Sequence, residues 1–224
     1  WAFGAMQILR RHFDALIHGR DTGLTAGQRY HFVAGWLPWL ADGFNLLVNL
    51  AALAWSLVMV LFPRHIEPPL MLFSVLPLSL FLFKLVKLLH LYRARVGATF
   101  TQTVAAAIAG LGLSHTVGSA MISGFFNKDR PFFRTPKRAG RHALLQSLAA
   151  AREEAVLMCG LWVAAFAVSG IPEMDGDMPG LVGSPDLTVW VTVLLVQSIP
   201  YAAAVIVSLV SGLRLPGDWI GEAG

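Results

Sequence analysis

The chain has 224 residues, of which 56% are hydrophobic and only 13% charged, with a mean hydropathy of +0.63. That balance excludes an ordinary soluble domain and points to a polytopic membrane protein. The net charge of +4 does not imply nucleic acid, because the basic residues lie between apolar runs rather than on one soluble face.

Residues 1–27 read as an amphipathic helix followed by a polar turn. Ala2, Met6, Leu9, Phe13 and Leu16 recur at spacings of three and four, with Gln7, Arg11, Asp14 and His18 opposite them. Such a helix, bearing Arg10 and Arg11, is expected to lie in a membrane interface. By pattern alone, a helix packed on a soluble domain fits as well. The amphipathic start gives no expectation of a signal peptide. The chain opens on Trp1 rather than methionine, so it is expected to be a fragment of something longer.

Residues 28–95 are expected to form a pair of transmembrane helices. Tyr30, Trp36 and Trp39 precede the first span, either as an aromatic belt at the membrane boundary or as flat surfaces along a sugar path. Residues 43–63, between Asp42 and Arg64, carry no charge and are long enough for one crossing. The second span, Leu70 to Tyr92, contains Lys84 and Lys87. These are expected to snorkel to headgroups, with the lining of a polar path as the alternative.

Residues 96–153 are the ambiguous part. Val96 to Asn127 is uncharged but rich in Thr, Ser, Gly and Ala, and both its flanks are strongly basic. Crossing would put one basic cluster outside, so an interfacial or re-entrant helix on the cytoplasmic side is expected. His115 within it reads as a packing or interfacial histidine rather than a ligand. The basic, proline-punctuated loop 130–138 follows, Arg130-Pro-Phe-Phe-Arg-Thr-Pro-Lys-Arg138. Pro131 and Pro136 disfavour helix there, and its cations suit phosphate. Residues 154–224 supply a second span pair, Ala155–Ile171 and Leu187 to about Leu213, with Pro200 a kink. The connection between them is acidic, and Asp175-Gly-Asp177 in it is expected to be a solvated turn on the outer side. Cys159 sits alone in an apolar run.

Phe132-x-x-Thr135-x-Lys137 resembles the F-x-V-T-x-K gating loop of processive family 2 glycosyltransferases of the cellulose synthase type, with Arg134 at the valine position. Trp1-Ala-Phe-Gly4 looks like the continuation of the Q-x-x-R-W motif that opens an interfacial helix in those enzymes, and Gln28-Arg29 matches their Gln-Arg before the next span. The resemblance implies an all-α integral membrane unit of about four transmembrane helices, with amphipathic interfacial helices and a cytosolic gating loop. Its function would be to pass a growing polysaccharide across a bacterial inner membrane, both ends cytoplasmic. It further implies that Trp1 stacks on the acceptor sugar. Phe132, Phe133, Arg134, Thr135 and Lys137 would meet the nucleotide sugar. A catalytic domain absent from this sequence would hold Mg2+ or Mn2+ and the catalytic aspartates, leaving this segment inactive alone. The expected partners are the lipid bilayer, nucleotide sugar and polysaccharide, with room for accessory subunits. The rival classes are a non-enzymatic transporter and an assembly subunit.

Overall fold

The computed structural model describes residues 1–19, 23–63, 65–69, 71–127, 143–170 and 185–213. Among these, secondary structure is entirely helical. Eight α-helices follow in order: α1 Ala2–Arg11, α2 Ala26–Leu61, α3 Met71–Leu91, α4 Phe100–Gly112, α5 Ser114–Phe126, α6 Ala143–Ala150, α7 Arg152–Ser169 and α8 Pro185–Gly212.

Two of the joints are built alike. After α1, the π-helical turn Asp14–His18 ends at Gly19, whose φ of 69° is left-handed. After α3, the π-helical turn Tyr92–Val96 ends at Gly97, with φ 68°. Glycine reaches that conformation without a Cβ clash. The next helix then starts on a threonine. Thr25 and Thr99 each accept from the backbone N–H three residues on. Gln28 and Gln102 return the bond to the cap residue's own N–H, at 2.9 and 3.0 Å. These are capping boxes, which satisfy two otherwise orphaned donors at each helix start. Pro185 opens α8 at a position where its missing N–H costs nothing, and Asp186 complements the helix dipole.

Among the described residues, four helical segments are long and apolar enough to cross a membrane: residues 26–61, 74–96, 100–126 and 185–212. This set differs from the expected one by one member. Phe100–Phe126, expected as an interfacial or re-entrant helix, is among the four by length and composition, although it is built of two helices, α4 and α5, and its far end returns to α1, where Arg10 is bonded to Gly124 and Asn127. The expected third span, α7, is not, because Arg152, Glu153 and Glu154 occupy its first turn. α7 is nevertheless the main packing partner of α8. Leu161, Ala165 and Val168 of α7 meet Val193, Leu194 and Tyr201 of α8, and Ala52 and Met59 of α2 close the cluster. Trp190 Nε1 donates to Ser56 Oγ at 3.1 Å, which satisfies this buried indole, and the more exposed Trp162 donates from Nε1 to Ser198 Oγ at 2.8 Å.

Small residues seal the other seams. A Cβ on Gly118 of α5 would lie 2.7 Å from the carbonyl oxygen of Asp42. A Cβ on Gly112 would lie 3.2 Å from Ala204 of α8. The small residues of this stretch thus serve close backbone approach, the usual device of helices packed in lipid.

Candidate functional site

The first site lies where α1 meets the end of α5. Arg10 Nη1 donates to the carbonyl oxygens of Gly124 at 3.2 Å and Asn127 at 3.5 Å, and its guanidinium lies 5.9 Å from the Phe125 ring centre. Carbonyls at a helix C-terminus lack helical partners and carry partial negative charge, so an arginine is well matched to them. Gly124 permits the contact: a Cβ there would lie 3.0 Å from Met6 Cβ and from the Phe3 carbonyl oxygen. Trp1 is the N-cap of α1 and is almost fully exposed. The helix that carries Trp1 is thus clasped to the last described residue before the basic loop, across 117 positions of sequence.

Trp36 and Trp39 seat this helix from below. Trp36 is buried with Ala5 and Leu16, and Trp39 packs against both that cluster and the Ala2–Met6–Met121 cluster. Tyr30 is exposed, edge-on to His31. None of these three aromatics lines the large cavity described below. Phe132, Phe133, Arg134, Thr135 and Lys137 lie outside the described residues, as does Asp175-Gly-Asp177.

The second site is a set of polar side chains on the apolar helices. Lys84 of α3 does not snorkel away. It forms an ion pair with Asp42 of α2 and donates to Ser114 Oγ at 2.7 Å. The next residue, His115, places Nδ1 2.8 Å from Glu154 Oε1 of α7, both side chains being buried. The His115 ring stands edge-on to Tyr201 at 6.0 Å, and the Tyr201 hydroxyl accepts from Asn49 Nδ2 at 2.7 Å. Five helices, α2, α3, α5, α7 and α8, are joined through this set. Sequence reasoning missed it: Asp42 and Glu154 read as the edges of apolar runs, and their partners stand 42 and 39 positions away.

Beside Lys84 opens a cavity of about 1720 Å³ between α2 and α3, with α8 as its back wall. It is lined by Trp55, Phe44, Phe81 and Trp190, and by the polar groups Asp42, Lys84, Ser114 and Gln197. Gln197 is only 3% exposed, and neither end of its side-chain amide has a partner among the described residues. A buried amide left unpaired is costly, so this one is suited to a ligand that supplies its bonds. Among the described residues no group of three His, Cys, Asp or Glu is placed to hold a metal ion.

Comparison with protein-family models, with curated proteins and with solved structures returns no match.

Proposed function

We propose that the chain is the membrane part of a family 2 glycosyltransferase of the cellulose synthase type, which moves a growing polysaccharide across the bilayer. The observation that supports this most is the clasp of α1 onto the end of α5. In such an enzyme the acceptor-stacking tryptophan and the gating loop work on the same sugar, so they must stand close together. Here Arg10, nine residues after Trp1 on the same helix, donates to the carbonyl of Asn127, three residues ahead of the loop that holds Phe132, Thr135 and Lys137.

The division of labour follows from chemistry. Sugar transfer needs a general base and a metal-stabilised diphosphate leaving group, supplied by Mg2+ or Mn2+ in a domain outside this sequence. This chain contributes Lys137 and Arg134 as cations for the diphosphate, Thr135 as a hydrogen-bonding group, and Phe132 as an apolar wedge. The membrane is then a bacterial inner membrane with both chain ends on the cytoplasmic side. The test uses the full-length protein in membranes supplied with nucleotide sugars. Thr135→Ala and Lys137→Ala should each lower polymer formation by roughly a hundredfold, the scale of losing one donor to developing charge, without changing membrane insertion. Wild-type turnover in both variants would remove the gating role.

A second reading, a transporter without chemistry of its own, is favoured by one observation: ionisable pairs, Asp42–Lys84 and His115–Glu154, on mostly apolar helices. It predicts that the full-length protein in proteoliposomes takes up a solute, and that Glu154→Gln abolishes uptake. Uptake unaffected by Glu154→Gln, or none at all, counts against it.

A further inference from the structure

Two contacts fix how the walls of the cleft run. Asp42 of α2 pairs with Lys84 of α3, and Trp55 Nε1 of α2 donates to the Glu67 carbonyl, ahead of α3, at 3.3 Å. The two helices are therefore antiparallel, with Glu67 at the Trp55 end and Lys87 and Arg95 toward the Ala34 end. On α2 the lining includes Ala34, Pro38, Ala41, Asn45, Val48 and Ala52, at alternating spacings of four and three. On α3 it includes Pro77, Phe81, Lys84, Leu88, Leu91 and Arg95, at the same spacings. That is the repeat with which helices pack side by side in a left-handed bundle. Each wall thus offers a seam for a helix, yet α2 and α3 stand apart, and Leu37, Phe44 and Leu76 are exposed along the opening. From Ala34 to Trp55 the α2 seam is about 31 Å long at 1.5 Å per residue, the length of a transmembrane helix of about 20 residues.

Gln197 points to the chemistry of the occupant. It lines the cleft from α8, is 3% exposed, and neither end of its amide has a partner among the described residues. The bonds Asn49–Tyr201 and Ser56–Trp190 stand on either side of it, which sets it about level with Ala52, one repeat along the seam from Asn45. An acyl chain would pack on the seams but bring no bond to that amide. A helix brings both, close packing on the alanine positions and a polar side chain at a fixed depth. A second copy of this chain is ill matched. Two copies insert in the same direction, so its basic end would meet Lys87 and Arg95, neither of which forms an ion pair among the described residues. We propose that the cleft between α2 and α3 is the docking site for one transmembrane helix of a partner protein. That helix carries an amide or hydroxyl side chain at the level of Gln197 and an acidic residue at the end facing Lys87 and Arg95. Asp and Glu weigh little in orienting a span, so such a flank suits either direction of insertion. The assignment is independent of sugar transfer, since a transporter or an assembly subunit with this cleft would take the same helix.

The full-length protein, one copy per nanodisc, is titrated with a labelled synthetic helix of about 24 residues, mostly leucine and alanine. The probe carries asparagine at the level of Gln197 and aspartate at the Lys87–Arg95 end. Saturable energy transfer between helix and protein is expected. Replacing the asparagine by leucine should weaken binding about fivefold, and Gln197→Leu should do the same, with no further loss when the two changes are combined. Lys87→Ala/Arg95→Ala, at exposed positions, should weaken the aspartate-ended helix about fivefold and leave a lysine-ended one no weaker. Transfer that does not saturate, or a Gln197→Leu variant that binds as its parent does, would overturn the proposal. In native membranes, benzoylphenylalanine in place of Val48 should form a photo-adduct with a transmembrane peptide of a different protein, polar at the matching depth. No adduct, one with a wholly apolar peptide, or adducts only with lipid or with this protein itself would overturn it equally.

Discussion

Helix α2 meets its two long neighbours in opposite ways. Toward α5 it closes to backbone contact, with Gly43 and Gly118 leaving no room for a Cβ on the α5 side. Toward α3 it stands off, joined by the Asp42–Lys84 pair and otherwise leaving the cleft open. Hydrophobicity does not separate the two cases, because α3 is if anything the more apolar partner. Side-chain size does. α3 presents Phe81, Phe83, Leu88 and Leu91 to the cleft, whereas α5 presents serine and glycine. In lipid, tails solvate bulky apolar faces well, and packing goes to the surfaces that fit closest.

The strongest way to break this contrast is to give α5 a large side chain at the seam. Gly118→Leu should destabilise the protein by about 3 kcal/mol, the upper end of overpacking, because the obstruction is backbone and cannot turn aside. The same change in the open wall, Ala51→Leu, should cost less than about 0.5 kcal/mol. Thermal unfolding of both variants in one detergent measures the difference, and similar midpoints would refute the closed-versus-open description. Next in size is Lys84→Met, which leaves Asp42 with a buried, unpaired carboxylate. A loss of about 2 kcal/mol is expected, below the full value for a buried pair because Lys84 is itself 33% exposed. The double variant Lys84→Met/Asp42→Leu should recover most of that loss; a double variant no better than Lys84→Met would mean that the pair is not the link. The smallest effect is expected from Arg10→Ala, about 0.5 kcal/mol for losing a cation at the α5 C-terminus. Its clearer sign is faster hydrogen exchange at residues 124–127, with the α2–α5 seam unchanged.

Much of the helical order was legible in the sequence because periodicity and charge gaps act locally. The apolar line Ala2–Met6–Leu9 of α1 packs as its spacing suggests, although Phe13 leaves the line and is exposed once the π-helical turn shifts the phase. The uncharged stretch after Asp42 lies within α2 as far as Leu61, but the helix itself begins at Ala26, upstream of that charge, where the Thr25 capping box starts it. The seam residues carry a second meaning that a single sequence does not show. Gly112, Ser114 and Gly118 lower the apparent hydrophobicity of 96–127, and only a partner helix reveals that their value is smallness. The polar set was illegible because each member pairs with a residue on another helix. Of its ionisable members, Lys84 stood out as a charge in the middle of an apolar run and His115 as a packing histidine, but neither sequence position named its partner.

The helix-interior prolines Pro38, Pro77 and Pro200 fall on three different helices, and all three line the cleft. Each removes one backbone hydrogen bond and makes its helix bend most easily at that point. The walls of the cleft are therefore jointed, while the glycine seam beside them is fixed. Aperture becomes an adjustable quantity on one side of α2 and a constant on the other, so a bulky passenger can be admitted by flexing α3 and α8 without unsealing the bundle.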